Sequence, residues 1–175
     1  YTTLFRSNAF QGTFDGAGHS ISNVSLTTEG SPLGLFGTTN GATFKDLTLQ
    51  NFDNGGGAEV GGLVGEAVST TFQNITLDTI RVAAGNAIGS LAGVLRESGG
   101  INNVHATNVT VIGGSDVGGL VGRIDGTDGG AITIQDASVD GGTVDNQGES
   151  ADAVGGLIGE VGNNSDSVNI NVSKV

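Results

Sequence analysis

The sequence predicts an all-β protein: a parallel β-solenoid, one domain of triangular coils of about 28 residues. Three observations carry this. A glycine-rich pentad recurs five times, a strand-and-corner pattern recurs between the pentads, and the composition suits ladders rather than helices. Of the 175 residues, 33 are glycine and only one is proline. That glycine density, with no 3.6-residue period, argues against helix. The scarcity of proline leaves almost every backbone N–H free to enter a ladder.

The pentad reads Gly34-Leu35-Phe36-Gly37, then Gly61-Gly62-Leu63-Val64-Gly65 and Gly89-Ser90-Leu91-Ala92-Gly93. It returns as Gly118-Gly119-Leu120-Val121-Gly122 and Gly155-Gly156-Leu157-Ile158-Gly159. The central leucines are 28, 28, 29 and 37 residues apart. A period in this range marks stacked repeats, each burying its apolar face against its neighbours. Glycine is unfavourable inside strands, so its recurrence implies positive dihedrals or a close backbone approach.

The second pattern is apolar, two polar, apolar, polar, apolar. It is read at Ile21–Leu26, Phe44–Leu49, Phe72–Leu77, Ile101–Ala106 and Ile134–Val139, with a degraded copy at Ile170–Val175. The last three positions alternate as a strand with one buried face. The extra polar residue makes a corner, occupied by Asn23, Asp46, Asn74, Asn103 and Asp136. Asn and Asp tolerate left-handed backbone angles, and stacking should align these five as a ladder, each side chain bonding the next. A second corner follows at Gln50-Asn51, Asp78-Thr79, Thr107-Asn108 and Asp140-Gly141. A third strand comes next, as in Ile80–Val82, Val109–Val111 and Thr143-Val144.

Two stretches break the period, 123–130 and 145–152, and are expected to protrude as loops. Their acids Asp125, Asp128, Asp145, Glu149 and Asp152 are candidate recognition residues, since loops on rigid scaffolds often carry binding. They are oxygen ligands of the type calcium takes. Their spacing matches neither the helix–loop–helix calcium site nor the nonapeptide calcium repeat, so a solvated loop is the expectation and no cofactor is assigned. Residues 1–7 read as a non-native, adapter-derived segment, leaving 8–175 as the solenoid, a fragment of a longer chain.

The pentads, with the opening Phe10-Gln-Gly-Thr-Phe-Asp-Gly-Ala-Gly-His-Ser-Ile21, resemble the GLUG-repeat family of bacterial surface and secreted proteins. The resemblance covers about 10–175, departing at Ser90 and Ala92 in the third pentad and in a stretched fourth repeat. It implies an extracellular or cell-surface location, often within an adhesin or a protease stalk, and brings no shared catalytic motif.

Composition narrows the function. The chain has no cysteine, which excludes disulfides and thiolate metal sites. Eighteen acids against six bases give a net charge of −12, which disfavours nucleic acid. No apolar run is long enough to span a membrane as a helix. The two histidines, His19 and His105, lie several coils apart. His19 reads as part of a turn. His105 reads as an outward strand position, equivalent to Ser25, Thr48, Thr76, Ser138 and Lys174. That row raises an ice-binding alternative, interrupted at His105 and Lys174. The position three after each central leucine holds Thr38, Glu66, Val94, Arg123 and Glu160, a mixed column with Arg123 read as a surface ion pair and no isolated carboxylate pair. The expectation is therefore a non-enzymatic structural or adhesive module whose partners are host or matrix glycans or proteins. Alternatives are a filament subunit joined through open coil ends, or an accessory region of a secreted protease or polysaccharide-degrading enzyme.

Overall fold

A computed structural model describes residues 8–27, 30–126, 130–148 and 153–162, and the backbone of 169–173. The described residues contain no helix. Twelve strands follow in order: β1 (Phe10–Thr27), β2 (Phe36–Gly56), β3 (Val60–Gly61), β4 (Val64–Ala84), β5 (Asn86–Gly89) and β6 (Ala92–Gly113). Then come β7 (Ser115–Gly118), β8 (Val121–Asp125), β9 (Ala131–Asn146), β10 (Val154–Gly155), β11 (Ile158–Gly162) and β12 (Asn169–Ser173).

All strand pairing among the described residues is parallel. β1, β2, β4 and β6 stack in that order; β6 is then covered by β8 and β9, and these by β11 and β12. A narrow second sheet runs β3, β5, β7, β10. This is the expected β-solenoid.

The long strands are not straight. β2 carries left-handed residues at Gly41, Asp46 and Asn51, and β4 at Ser69, Asn74 and Thr79. Successive corners are five residues apart, so each strand is a chain of pentapeptide sides. A further left-handed residue precedes the pentad at Glu59, Ala87 and Asp116, a bend the sequence pattern did not indicate.

The core is columnar. Leu63, Leu91 and Leu120 are fully buried. Their backbones join directly, Leu63 N donating to Leu91 O at 3.1 Å and Leu91 N to Leu120 O at 2.9 Å. Beside them Ile75, Val104 and Ala137 form one column, and Val82 and Val111 belong to another. Phenylalanines fill the first coils: Phe36 and Phe44 meet edge to face at 4.9 Å, and Phe44 stacks on Phe72 at 5.6 Å.

No pentad glycine lies in the left-handed region, so close approach is the operative reason for them. The fifth pentad position is glycine in all five copies. A Cβ on Gly65 would run into the Leu33 nitrogen, on Gly93 into Glu59 and Val60, and on Gly159 into Asp116 and Val117. The fifth glycines Gly65, Gly93, Gly122 and Gly159 thus let their coils lie flush on the segment that enters the pentad one coil earlier.

Candidate functional site

Register corrects three of the sequence expectations. Asn23 does not stand over Asp46. Ile21 pairs with Leu49 and Val24 with Phe52, so Asn23 stacks on Asn51, which donates to it at 2.6 Å. With five-residue sides, the apolar–polar–Asn–apolar pattern repeats at both corners, and the first copy fits either one. The Asp15–Gly18 segment takes up two extra residues as a bulge after Phe14 has paired with Phe44, with Asp15 Oδ1 accepting the Ala17 N–H at 2.8 Å. Ser20, not Ser25, therefore shares a column with Thr48, Thr76, His105 and Ser138. The last copy also slips: Ile170 pairs with Ile132 and Val172 with Ile134, a two-residue shift that keeps the same faces.

The corner ladder forms in part. Asn74 Nδ2 donates to Asp46 Oδ1 at 2.8 Å, and Asn103 Nδ2 to Asn74 Oδ1 at 2.8 Å. Asp136 occupies the same column with φ 53°, yet no hydrogen bond among the described contacts joins it to Asn103. An ionised Asp offers no donor, and Asn103 turns its oxygen to His105 Nε2 at 2.9 Å. His105 Nδ1 meets Ser138 Oγ at 2.9 Å in turn.

The loop acids separate. Asp125 ends β8 within the ladder, its side chain only 11 % exposed. Asp145 pairs with Ile112, and its exposed side chain accepts from Gln147. The ladder thus continues past the expected starts of both insertions, because the first side chains of each still have partners in the coil below. The extra residues lie within 126–130 and 147–153. Asp128, Glu149 and Asp152 lie outside the described residues, as do residues 1–7 and Lys174.

One charged cluster stands out. Arg96 is 2.6 Å from Glu66, 2.6 Å from Asp125 and 3.0 Å from Glu59. Arg123 is 3.0 Å from Asp116, and its Nε is 3.0 Å from Asp125 Oδ1. The latter contact is electrostatic: the Nε–H lacks a properly directed acceptor. The fifth glycines assemble this group. Gly93 seats Arg96 beside Glu59, and Gly159 seats Glu160 beside Asp116. Arg123 is half-buried with two carboxylate partners, not an exposed surface pair.

Protonation follows from these contacts. Burial pulls the Arg96 guanidinium down, but the hydrogen bond to Glu66 and the charges of Asp125, Glu66 and Glu59 outweigh it, and the group is held more firmly charged. Contact with the Asp116 carboxyl, then burial and Asp116's charge, push Glu160 above the usual range, with Arg123 opposing. The structure thus brings a carboxylate pair together where the sequence indicated none. Hydrogen bonds from Gln50, then Thr79, hold Asp78 below its usual range.

Sequence reading missed Arg96, Glu59 and Asp116. A signal was present: Arg96 lies 30 residues from Glu66 and 29 from Asp125, about one period from opposite charges on either side. Among the described residues, no group of three His, Asp or Glu side chains is arranged to hold a metal ion. In comparisons with known proteins, no family model, no curated protein and no solved structure matches the chain.

Proposed function

We propose that this chain is a rigid, non-enzymatic structural or adhesive module of a secreted or surface-attached protein. One observation carries the reading: the parallel backbone ladder runs unbroken from β1 through β2, β4 and β6 into β8 and β11. A rod joined this way resists bending and extension along its whole length, because each coil is fixed to both neighbours. The charge of −12 suits a soluble surface exposed to solvent. The resemblance of the pentads to GLUG repeats supports the same assignment and an extracellular setting.

Adhesion would use the outward columns. Ser20, Thr48, Thr76, His105 and Ser138 present hydroxyl and imidazole groups one above another, at the roughly 4.8 Å spacing of adjacent strands. Such rows offer repeated donors and acceptors to a glycan or an extended protein segment.

The test is negative-stain electron microscopy over a range of concentrations, followed by glycan and matrix-protein arrays. Isolated rods of constant width that bind array members support the module. Ordered filaments that lengthen with concentration would overturn it in favour of a self-assembling subunit.

A further inference from the structure

We propose that Ser138 is an acyl-acceptor site, its hydroxyl polarised by a one-way hydrogen-bond relay that ends on Asp46. The proposal goes beyond the scaffold reading: it gives the rod one reactive side chain on an outward face.

The direction of the relay follows from donor chemistry. The ionised Asp46 carboxylate can only accept, so Asn74 must present its NH₂ there, as the 2.8 Å contact from Nδ2 records. That leaves Asn74 Oδ1 facing the next coil, where it takes the Asn103 amide proton at 2.8 Å. Asn103 in turn has only Oδ1 to offer His105 Nε2, at 2.9 Å. In the neutral imidazole the His105 proton therefore sits on Nε2, and Nδ1 keeps a bare lone pair. Ser138 Oγ lies 2.9 Å from Nδ1 and in this tautomer donates to it. Asp140 Oδ2 is a weaker competitor at 3.5 Å.

Nucleophile, base and orienting group thus stand in hydrogen-bonding reach, the arrangement that activates a serine hydroxyl. His105 is the base. Asn103, Asn74 and Asp46 are positioning residues, acting through the imidazole. Ser138 also lines a hollow of about 340 Å³ with Val139, Asp140, Gly156 and Leu157, whose apolar part suits a short acyl chain.

The substrate class is an activated acyl compound, an ester or thioester. Ser138 Oγ attacks the carbonyl carbon as its proton passes to His105 Nδ1. The tetrahedral adduct then expels the alkoxide or thiolate, which takes the proton from His105. One Oγ–C bond forms, one C–O or C–S bond breaks, and no oxidant or reductant is needed. The product is an O-acyl serine, a covalent attachment point on the rod.

Two measurements test this on the whole chain. Long-range nitrogen–proton NMR reads the His105 tautomer directly: Nε2–H is expected, and Nδ1–H would overturn the relay. Acetylation by p-nitrophenyl acetate, mapped by peptide mass spectrometry, reads reactivity. Ser138 should acylate about 100-fold faster than the exposed Ser22 or Ser25, the lower end of what a positioned base supplies. Ser138→Ala and His105→Gln should remove the fast phase. Asn103→Gly preserves the left-handed corner and should slow it about tenfold, while letting the His105 proton redistribute between the two ring nitrogens. Equal labelling of Ser138 and Ser25, an unchanged rate in His105→Gln, or acetyl found on His105 in Ser138→Ala would each overturn the proposal. Circular dichroism of each variant guards against misreading an unfolded chain, and the tautomer and labelling of the parent decide the matter without any variant.

Discussion

The guanidinium of Arg96 and the carboxylate of Asp125 meet at 2.6 Å across the junction of two coils, and the same guanidinium reaches back to Glu59 and Glu66. A single planar cation therefore fastens three levels of the solenoid. Its side chain is 30 % exposed and that of Asp125 11 %, so solvent screens the contacts only partly.

Removing that cation should cost more than a surface ion pair does. Arg96→Ala leaves three carboxylates close together with Arg123 alone to balance them. Breaking a fully buried pair costs about 3–5 kcal/mol and an exposed one under about 1 kcal/mol; this half-buried cluster should fall at about 1–3 kcal/mol. Urea denaturation reads the difference. Arg96→Lys should recover only part of it, since an ammonium cannot hold three divergent acceptors as the fork does. A loss below about 0.5 kcal/mol for Arg96→Ala would mean the cluster is decorative.

The fifth pentad glycine makes a sharper prediction. Gly65→Val places a branched side chain against the Leu33 backbone and Pro32, and should cost about 1–3 kcal/mol or more through overpacking. Gly156→Ala is the control: nothing lies within 4 Å of its added Cβ. Thermal melts should separate the two clearly. If Gly65→Val melted with the parent, close approach would not be the reason for glycine at that position.

Much of this fold is legible in the sequence because its strongest signals are tied to steric necessity. The leucines at 63, 91 and 120 do stack, and the third strand does pair Val82 with Val111 and Val111 with Val144. Where the sequence misleads, the ambiguity is geometric. Five-residue sides make one corner look like the next, so Asn23 fits two columns by pattern, and the pairing of Phe14 with Phe44, followed by a two-residue bulge at Asp15–Gly18, decides between them. The charged cluster was hidden for another reason. Its members come from both sides of the pentad and touch only because Gly93 and Gly159 let two segments lie flush. No linear spacing rule encodes that contact, although the charges one period apart hinted at it.

The assignment of Asn23 to the second ladder predicts a pattern of coupling. Asn23→Gly and Asn51→Gly both keep the left-handed corner, at φ 58° and 54°, while removing the 2.6 Å bond. Their double-mutant cycle should give a coupling of about 0.5 kcal/mol, that of a solvent-exposed hydrogen bond. Asn23→Gly with Asp46→Gly should be additive. Coupling in the second cycle and none in the first would restore the register read from sequence.

The carboxylates give the protein two opposed pH dependences. Asp15 is lowered by the hydrogen bond from Lys45 and then by the Ala17 N–H, and Asp78 by Gln50 and Thr79. Their contribution is present above the ordinary value of 3.8 and is lost as pH falls through the lowered folded values. Glu160 runs the other way. Raised by contact with Asp116, it favours the fold in its protonated form, so its contribution is complete below 4.5 and is lost as pH climbs through the raised folded value. Glu160→Gln removes the like-charge repulsion with Asp116 while keeping shape. At pH 7 the variant should melt at a temperature equal to or above that of the parent. At pH 4, where Glu160 already carries its proton, the two should converge. Melting curves for both chains from pH 3 to pH 8 measure this, because the loss from Asp15 and Asp78 at the acid end is common to both and cancels. A Glu160→Gln variant less stable than the parent at neutral pH would show that Arg123, not Asp116, dominates the surroundings of Glu160.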